Sequence, residues 1–339
     1  MDSDLRQKLE GMEDGPAKAD LINRLAVELR EKDPRGAIDL CDQALELSSR
    51  LEYQRGLAEG LRTRGNCYLL VSDNSQAMAD ELAALRLFRA LGDEAKELRI
   101  ANIIGNIHRR TGDLKAAASS YSEVLKKARE THDRLMQASA LNNLGNVNFA
   151  MNLEEEATVY YQQALVLFRE MGEVHYATMT LINLSSVYRT GKQFQEALDC
   201  CRQALAVFPE YSDRQAEAAT WFVMGLSYRD MGQKDRAIEV WQKSIDIARE
   251  VGDMVTEMSA LVHTAEVLAD PDHIHQCLEL LGMATLLEPR IGDRKVRISL
   301  HQVYATACDI TGDTAEAEDH RNLWQGLAEE IERLKAGGA

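Results

Sequence analysis

The chain is poor in helix breakers, with five prolines in 339 residues, and it has no Ser/Gly-rich linker or long polar tract. That excludes a string of domains on flexible tethers. No stretch approaches the ~18 apolar residues that a membrane span requires. The start, Met-Asp-Ser-Asp-Leu-Arg, has neither the basic nor the apolar region of a signal peptide. There is no P-loop, no Gly-x-Gly-x-x-Gly, no Gly-x-Ser-x-Gly and no Cys/His pairing at nucleophile spacing, so no enzymatic activity and no cofactor are expected. Positive charge is also scarce. At a net −16 the chain would meet nucleic-acid phosphates with a repulsive field, which excludes a general nucleic-acid binder. The six cysteines form no Cys-x-x-Cys pair and read as small core hydrophobes in a reducing compartment, so the expected location is cytoplasmic.

What the chain does have is a period. Gly or a small residue returns every forty positions, at Gly65, Gly105, Gly145, Ser185, Gly225, Ala265 and Ala305. A second column runs Ala37, Ala77, Ala117, Ala157, Ala197, Ala237, Cys277, Ala317, and a third runs Asp93, Asp133, Glu173, Asp213, Asp253, Asp293. A globular chain of this length would usually divide into two or more domains. Seven or eight copies of one unit with no insertion between them define a repeat array instead, in which each unit packs only on its neighbours. The expected organisation is an acidic lead segment over 1–17, one repeat domain over 18–335 and a tail over 336–339.

In the fourth repeat Leu141, Leu144, Val147 and Asn148 recur at the three- and four-residue spacing of an amphipathic helix. A break follows at Met151-Asn152-Leu153. A second helical pattern runs through Ala157, Tyr160, Tyr161, Ala164, Leu165 and Phe168. Gly172 suits a left-handed helix end, and the acidic residue after it can cap the next helix. The loops Leu91-Gly92-Asp93, Val251-Gly252-Asp253 and Ile291-Gly292-Asp293 read alike. The unit is a helical hairpin, so the tandem predicts an all-α fold of about eight repeats and sixteen helices. The Gly column is expected where the first helix of each hairpin, helix A, passes close to the second, helix B. The ends break the pattern as caps should: Leu25 replaces the Gly, and Trp324 replaces the second Ala of helix B.

Small-Gly on helix A, an aromatic three residues on (Tyr68, Tyr188, Tyr228), then Ala, an aromatic and another Ala resemble the tetratricopeptide repeat. The forty-residue unit and the Asn-Leu-Gly-Asn of 143–146 are similar to its long-helix variety, as in Pins-like adaptors, kinesin light chains and bacterial sensor proteins. The resemblance covers about residues 18 to 330. It departs at repeat one, which lacks the Gly, and at repeat seven, where Asp270-Pro271-Asp272-His273 replaces the turn and Cys277 replaces Ala. It implies a right-handed solenoid that binds a protein or peptide on its concave wall.

Helix geometry separates that wall from the core. Three before the Gly stand Arg62, Asn102 and Asn142; one after it stand Asn66, Asn106 and Asn146; four after it stand Arg109, Phe149 and Arg189. Asn143, Asn183 and Arg99 extend the same surface. A carboxamide carries both donor and acceptor, so a ladder of them can hold a peptide backbone whatever its side chains, while arginines add forked donors for carboxylates. Asn is a poor helix former, and its recurrence needs a reason; helix-end or neighbour bonding is the plain one. The favoured expectation is an adaptor capturing an acidic, partly extended segment of another protein. His273, His275, Asp270, Asp272 and Cys277 include metal-ligand residue types but lack metal-ligand spacing. His108 and His263 are expected at the core or rim.

Alternatives remain in the sequence. The chain would serve as the sensor segment of a cyclase- or kinase-linked signalling protein if it transmits through its last helix. That helix carries Leu323, Leu327, Ile331 and Leu334, a stripe that covers the terminal hairpin or makes a dimer contact. The acidic lead residues Asp2, Asp4, Glu10, Glu13 and Asp14 could themselves fill the groove.

Overall fold

The backbone passes through a left-handed residue at intervals of twenty: Glu52, Ser72, Gly92, Gly112, His132, Asn152, Gly172, Lys192, and later Gly232, Gly252 and Gly312. One helix and its turn therefore occupy twenty residues. The structure, a computed structural model, describes residue 9, residues 11–208 and residues 213–336, with side chains to 333. Among the described residues there are sixteen α-helices and no strand.

The helices fall into two compact units, Met1–Asn152 and Leu153–Ala339. The first holds α1 (Pro16–Leu29), α2 (Pro34–Arg50), α3 (Gln54–Leu70), α4 (Asn74–Ala90), α5 (Glu94–Arg110), α6 (Leu114–Glu130) and α7 (Arg134–Ala150). The second holds α8 (Glu154–Met171), α9 (Val174–Thr190), α10 (Phe194–Leu205), α11 (Arg214–Asp230), α12 (Lys234–Val251), α13 (Met254–Val267), α14 (Ile274–Leu287), α15 (Arg294–Thr311) and α16 (Thr314–Ala336). Odd-numbered helices are the A members of the hairpins. No described helix is long and apolar enough to cross a membrane.

The aspartate column is a column of N-caps. Asp93, Asp133, Asp213, Asp253 and Asp293 each accept a bond from an amide in the first turn of the A helix they precede. Asp33, Asp73 and Asp113 do the same for α2, α4 and α6. A first-turn amide has no partner inside its own helix, so each cap removes one orphan donor. Glu173 stands at the same place before α9 but makes no side-chain cap bond. Replacing Asp133 by Ala is expected to cost about 1 kcal/mol, read from the denaturant midpoint at unchanged slope.

The Gly column is where helix A meets helix B, as expected. A Cβ on Gly105 would fall 2.6 Å from Tyr121, one on Gly225 would fall 2.2 Å from Trp241, and one on Gly65 would fall 2.8 Å from Glu81. In the fifth repeat the pair is Ser185 with Cys201, whose Oγ and Sγ are 3.2 Å apart. Small on A is thus matched to the residue sixteen positions on in B. Those B residues, Glu81 included, are fully buried, and so are the alanines of the second column. All six cysteines are free and buried.

The ends and the seventh repeat depart from the rule. Leu25 takes the Gly place and packs with Cys41 and Ala44, sealing the first hairpin. Trp324 is half-buried, Leu323 is exposed, and Leu327 and Ile331 are half-buried along α16; the side chain of Leu334 lies outside the described residues. Asp2, Asp4 and Glu10 of the lead segment also lie outside them, whereas Asp14 pairs with Lys18 and Arg50. Gly292 does not repeat the conformation of Gly92 and Gly252: a 3-10 turn at Glu288–Arg290 follows α14, so Gly292 is not the residue that ends the helix. At the head of α14, Asp270 accepts from the Asp272 and His273 amides and contacts His273 Nδ1, while Cys277 is buried.

Candidate functional site

In the first unit the A helices are tied edge to edge by side chains, which makes one continuous face of them. Asn23 of α1 donates to the Gly56 carbonyl of α3 at 3.1 Å. Lys96 of α5 donates to Glu59 of α3 at 2.7 Å, and Arg55 donates to Asp93 at 2.9 Å. Asn143 of α7 donates to Asn102 Oδ1 of α5 at 3.0 Å. Asn66, Asn102, Asn106, Asn142, Asn143 and Asn146 lie on these A helices and are half-buried.

Several of them are already oriented by the protein. Asn66 donates to the Arg62 carbonyl at 2.8 Å and approaches Glu81 Oε1 at 3.4 Å. Asn106 accepts from the Tyr121 hydroxyl at 2.6 Å. Burial pushes the Tyr121 hydroxyl up to about 12, against the pull of Arg109, so it stays a donor. Asn142 and Asn146 are held by interactions of their own. A carboxamide has four bonding positions, and one bond to the scaffold fixes its rotamer while leaving others to use. Phe149 is half-buried beside this set.

The arginines divide into two groups. Arg62 is spent on Glu59, donating from Nε and Nη2 at 3.1 and 3.0 Å. Burial works against the charge on Glu59, but Lys96 and Arg62 outweigh it and hold its carboxyl below the usual range. Arg99 and Arg109 are exposed and make no ion pair among the described residues. In the second unit Asn183 is half-buried and engaged, and Arg189 reaches Asp230 of α11 at 2.5 Å. Arg229 adds bonds to Asp230, Glu266 and His263, and His263 packs on Trp241 and Phe222 at the rim. Of the arginines expected on this surface, Arg62 and Arg189 are therefore neutralised by carboxylates of the same or a neighbouring repeat, whereas Arg99 and Arg109 have no such partner among the described residues.

Two features escaped the column reading. Glu81 lies in the column of Tyr121, Tyr161 and Trp241, where a carboxylate is out of place; that misfit was visible in the repeat alignment. A polar cavity bounded by α1, α3 and α5 shares only Arg62 and Asp93 with the columns. Among the described residues no group of three or more His, Cys, Asp or Glu side chains converges as a metal site.

With helical hairpins, small-residue crossings and a polar A-helix face in place, the class of the molecule is defined: it is a tandem helical-repeat protein. Residues 96–170 and 176–250 match the family model for the tetratricopeptide repeat, so these segments carry that repeat. The Rap conjugation gene regulator of plasmid pLS20, solved with the Phr* peptide, superposes with a TM-score of 0.60 at 14% identity, over 93% of this chain and 96% of that one. Aspartyl phosphate phosphatase F from Bacillus subtilis gives 0.66 at 14% identity, over 95% and 86%. A signal transduction ATPase with a tetratricopeptide repeat sensor from Pyrococcus horikoshii gives 0.66 at 11% identity, over 99% of this chain and 54% of that one. At these identities the likeness is one of fold. No curated protein sequence matches the chain.

Proposed function

We propose that this protein is a non-catalytic binding module that captures an extended peptide segment on the A-helix face of its first unit. The observation that carries this reading is the cross-helix carboxamide pair Asn102–Asn143, flanked by Asn66, Asn106, Asn142 and Asn146. Carboxamides pre-set by the scaffold lose little side-chain entropy when they bond a peptide backbone. A protein of similar fold was solved in complex with a peptide, which supports a peptide-binding reading of the fold. Arg99 and Arg109, exposed and without a carboxylate partner among the described residues, supply the places for acidic side chains of the bound segment. The partner is accordingly a protein or peptide with an acidic, partly extended stretch, met in the cytoplasm.

The double variant Asn102→Ala/Asn143→Ala is expected to weaken capture of a randomised ten-residue peptide pool by at least tenfold. Each lost bond leaves a partly buried backbone group unpaired, worth about 1 kcal/mol or more apiece. Retention equal to wild type would remove the site from this face. A second reading is favoured by one observation: the superposition on a signalling ATPase with a repeat sensor spans nearly all of this chain. In that reading the same face senses a peptide for a catalytic domain instead of joining two proteins, and a longer natural reading frame would select it.

A further inference from the structure

A cavity of about 160 Å³ opens in the second unit where the end of α8, the start of α9 and the end of α10 come together. Its walls are apolar at Phe168, Ala177, Leu181 and Val207, and they carry polar groups at Arg169, Thr178 and Gln203. Comparison with the sister repeats shows what is missing there. Four B helices carry Arg at one column position, Arg89, Arg129, Arg169 and Arg249, and eight residues on stands a residue of the next A helix. Where that residue is glutamate the two pair: Arg89 with Glu97 at 2.9 Å, and Arg249 with Glu257 at 2.9 Å. Where it is Gln137, the carboxamide donates to the Ala128 carbonyl instead. Eight residues after Arg169 stands Ala177, which has no polar group at all and whose methyl lines the cavity.

The polar groups of the lining are donors in want of an acceptor. Arg169 donates from Nη2 to Gln203 Oε1 at 2.8 Å and makes no ion pair among the described residues. With its oxygen engaged by Arg169, Gln203 has its NH₂ group left to donate. Thr178 is 3% exposed, and among the described residues its hydroxyl makes no hydrogen bond, whereas Thr158, Thr180 and Thr264 bond the carbonyl four residues back. A buried hydroxyl left without a partner is costly. Helix α9 has no side-chain cap and its first residue, Val174, lines the cavity, so the positive end of that helix lies at the same rim. Glu173 is the one carboxylate among the lining residues, and it opposes a second negative charge.

We propose that this cavity binds a short aliphatic carboxylate, with Arg169, Thr178 and Gln203 donating to its oxygens and the apolar walls packing on its stem. The ligand supplies from outside the carboxylate that Glu97 and Glu257 supply from within the chain. A carboxylate accepts from all three donors and asks for no acceptor in return. Size limits the stem, since a cavity of about 150 Å³ takes a molecule as large as benzene, with about six carbons. Two sources carry that chemistry: a free carboxylic acid of about four to six carbons, and the glutamate side chain of a partner protein. The site stands on residues of the second unit alone and does not depend on the reading of the A-helix face of the first.

The test titrates the full chain by calorimetry with hexanoate, its neutral isostere hexanamide, and N-acetyl-glutamate α-amide, in which only the side-chain carboxylate is left. A carboxylate probe is expected to bind saturably, and hexanamide about tenfold or more weakly than hexanoate. The tighter of the two carboxylates names the source. Arg169→Met is expected to weaken binding by about tenfold or more. Ala177→Glu is the sharper variant, because it restores the pair seen in the sister repeats: it should melt at or above wild type and bind neither carboxylate. Glu173→Gln removes the opposing charge and should bind more tightly than wild type. The proposal is overturned by no saturable binding of any probe, by equal binding of hexanoate and hexanamide, or by an Ala177→Glu protein that folds and binds as wild type.

Discussion

Glu81→Gln is expected to stabilise the first unit by about 2–4 kcal/mol at pH 8 to 9 and to do almost nothing at pH 5. The carboxyl of Glu81 is fully buried against Gly65, with Oε2 unpaired and Oε1 3.4 Å from Asn66. Burial pushes it up from 4.5 to about 8, and the opposing pull of Arg62 is smaller. For an acid raised on folding, the folded state keeps a proton that the unfolded chain has already lost. Stability is therefore whole below pH 4.5, falls by about 1.36 kcal/mol per pH unit above it, and levels off past pH 8. That slope sets a ceiling of about 5 kcal/mol, which local relaxation and water entry reduce. Gln keeps the shape and the Asn66 contact without a charge to bury. Denaturant titrations of both proteins at pH 5, 7 and 9 would show the two curves diverging as the pH rises; parallel curves would mean that Glu81 finds a partner on ionising. Glu81→Tyr should also be tolerated, because Gly105 accommodates Tyr121 in the sister hairpin.

The same residue shows how far a repeat can be read from its sequence. The Asp column, the Gly column and the twenty-residue helix-turn step were legible because no insertion shifts them. Their roles as caps and crossings follow from local geometry alone. Glu81 was legible in principle, as a carboxylate in an aromatic column. The ion pairs were not. Arg62–Glu59–Lys96 and Arg189–Asp230–Arg229 join different A helices, and which residues meet there depends on how neighbouring hairpins are stacked. A period fixes the step along the chain and not that angle. This is why the Asn column could be read from the period while the pairing of Arg62 and Arg189 with carboxylates could not. The cavity among α1, α3 and α5 was hidden for a related reason: it uses residues of the aberrant first repeat, where column logic has least to compare.

Gly225→Ala is expected to cost the second unit about 2–4 kcal/mol in packing and hydrogen bonding, although Ala is the better helix former. The added methyl would fall 2.2 Å from Trp241 Nε1 and 2.4 Å from Cδ1. The indole cannot swing aside without giving up its bond to the Phe222 carbonyl at 3.0 Å. Overpacking at about 1–3 kcal/mol and a lost buried hydrogen bond at about 1 kcal/mol add in the same direction. Gly282 is a useful control, because nothing lies within 4 Å of its Cβ position and Ala there should be neutral or stabilising. The stronger test exchanges a whole crossing. The fifth repeat joins its helices through Ser185 and Cys201 instead of Gly and Trp, and Trp241→Cys alone should open a cavity worth about 3–5 kcal/mol. If the two columns are one interaction, Gly225→Ser/Trp241→Cys rebuilds the fifth-repeat crossing in the sixth. Its cost would then fall below the sum of the single variants by about 2 kcal/mol or more. Strict additivity in that cycle would mean that the small A residue and its B partner are tolerated independently, and that the period reflects descent from one unit more than a packing rule.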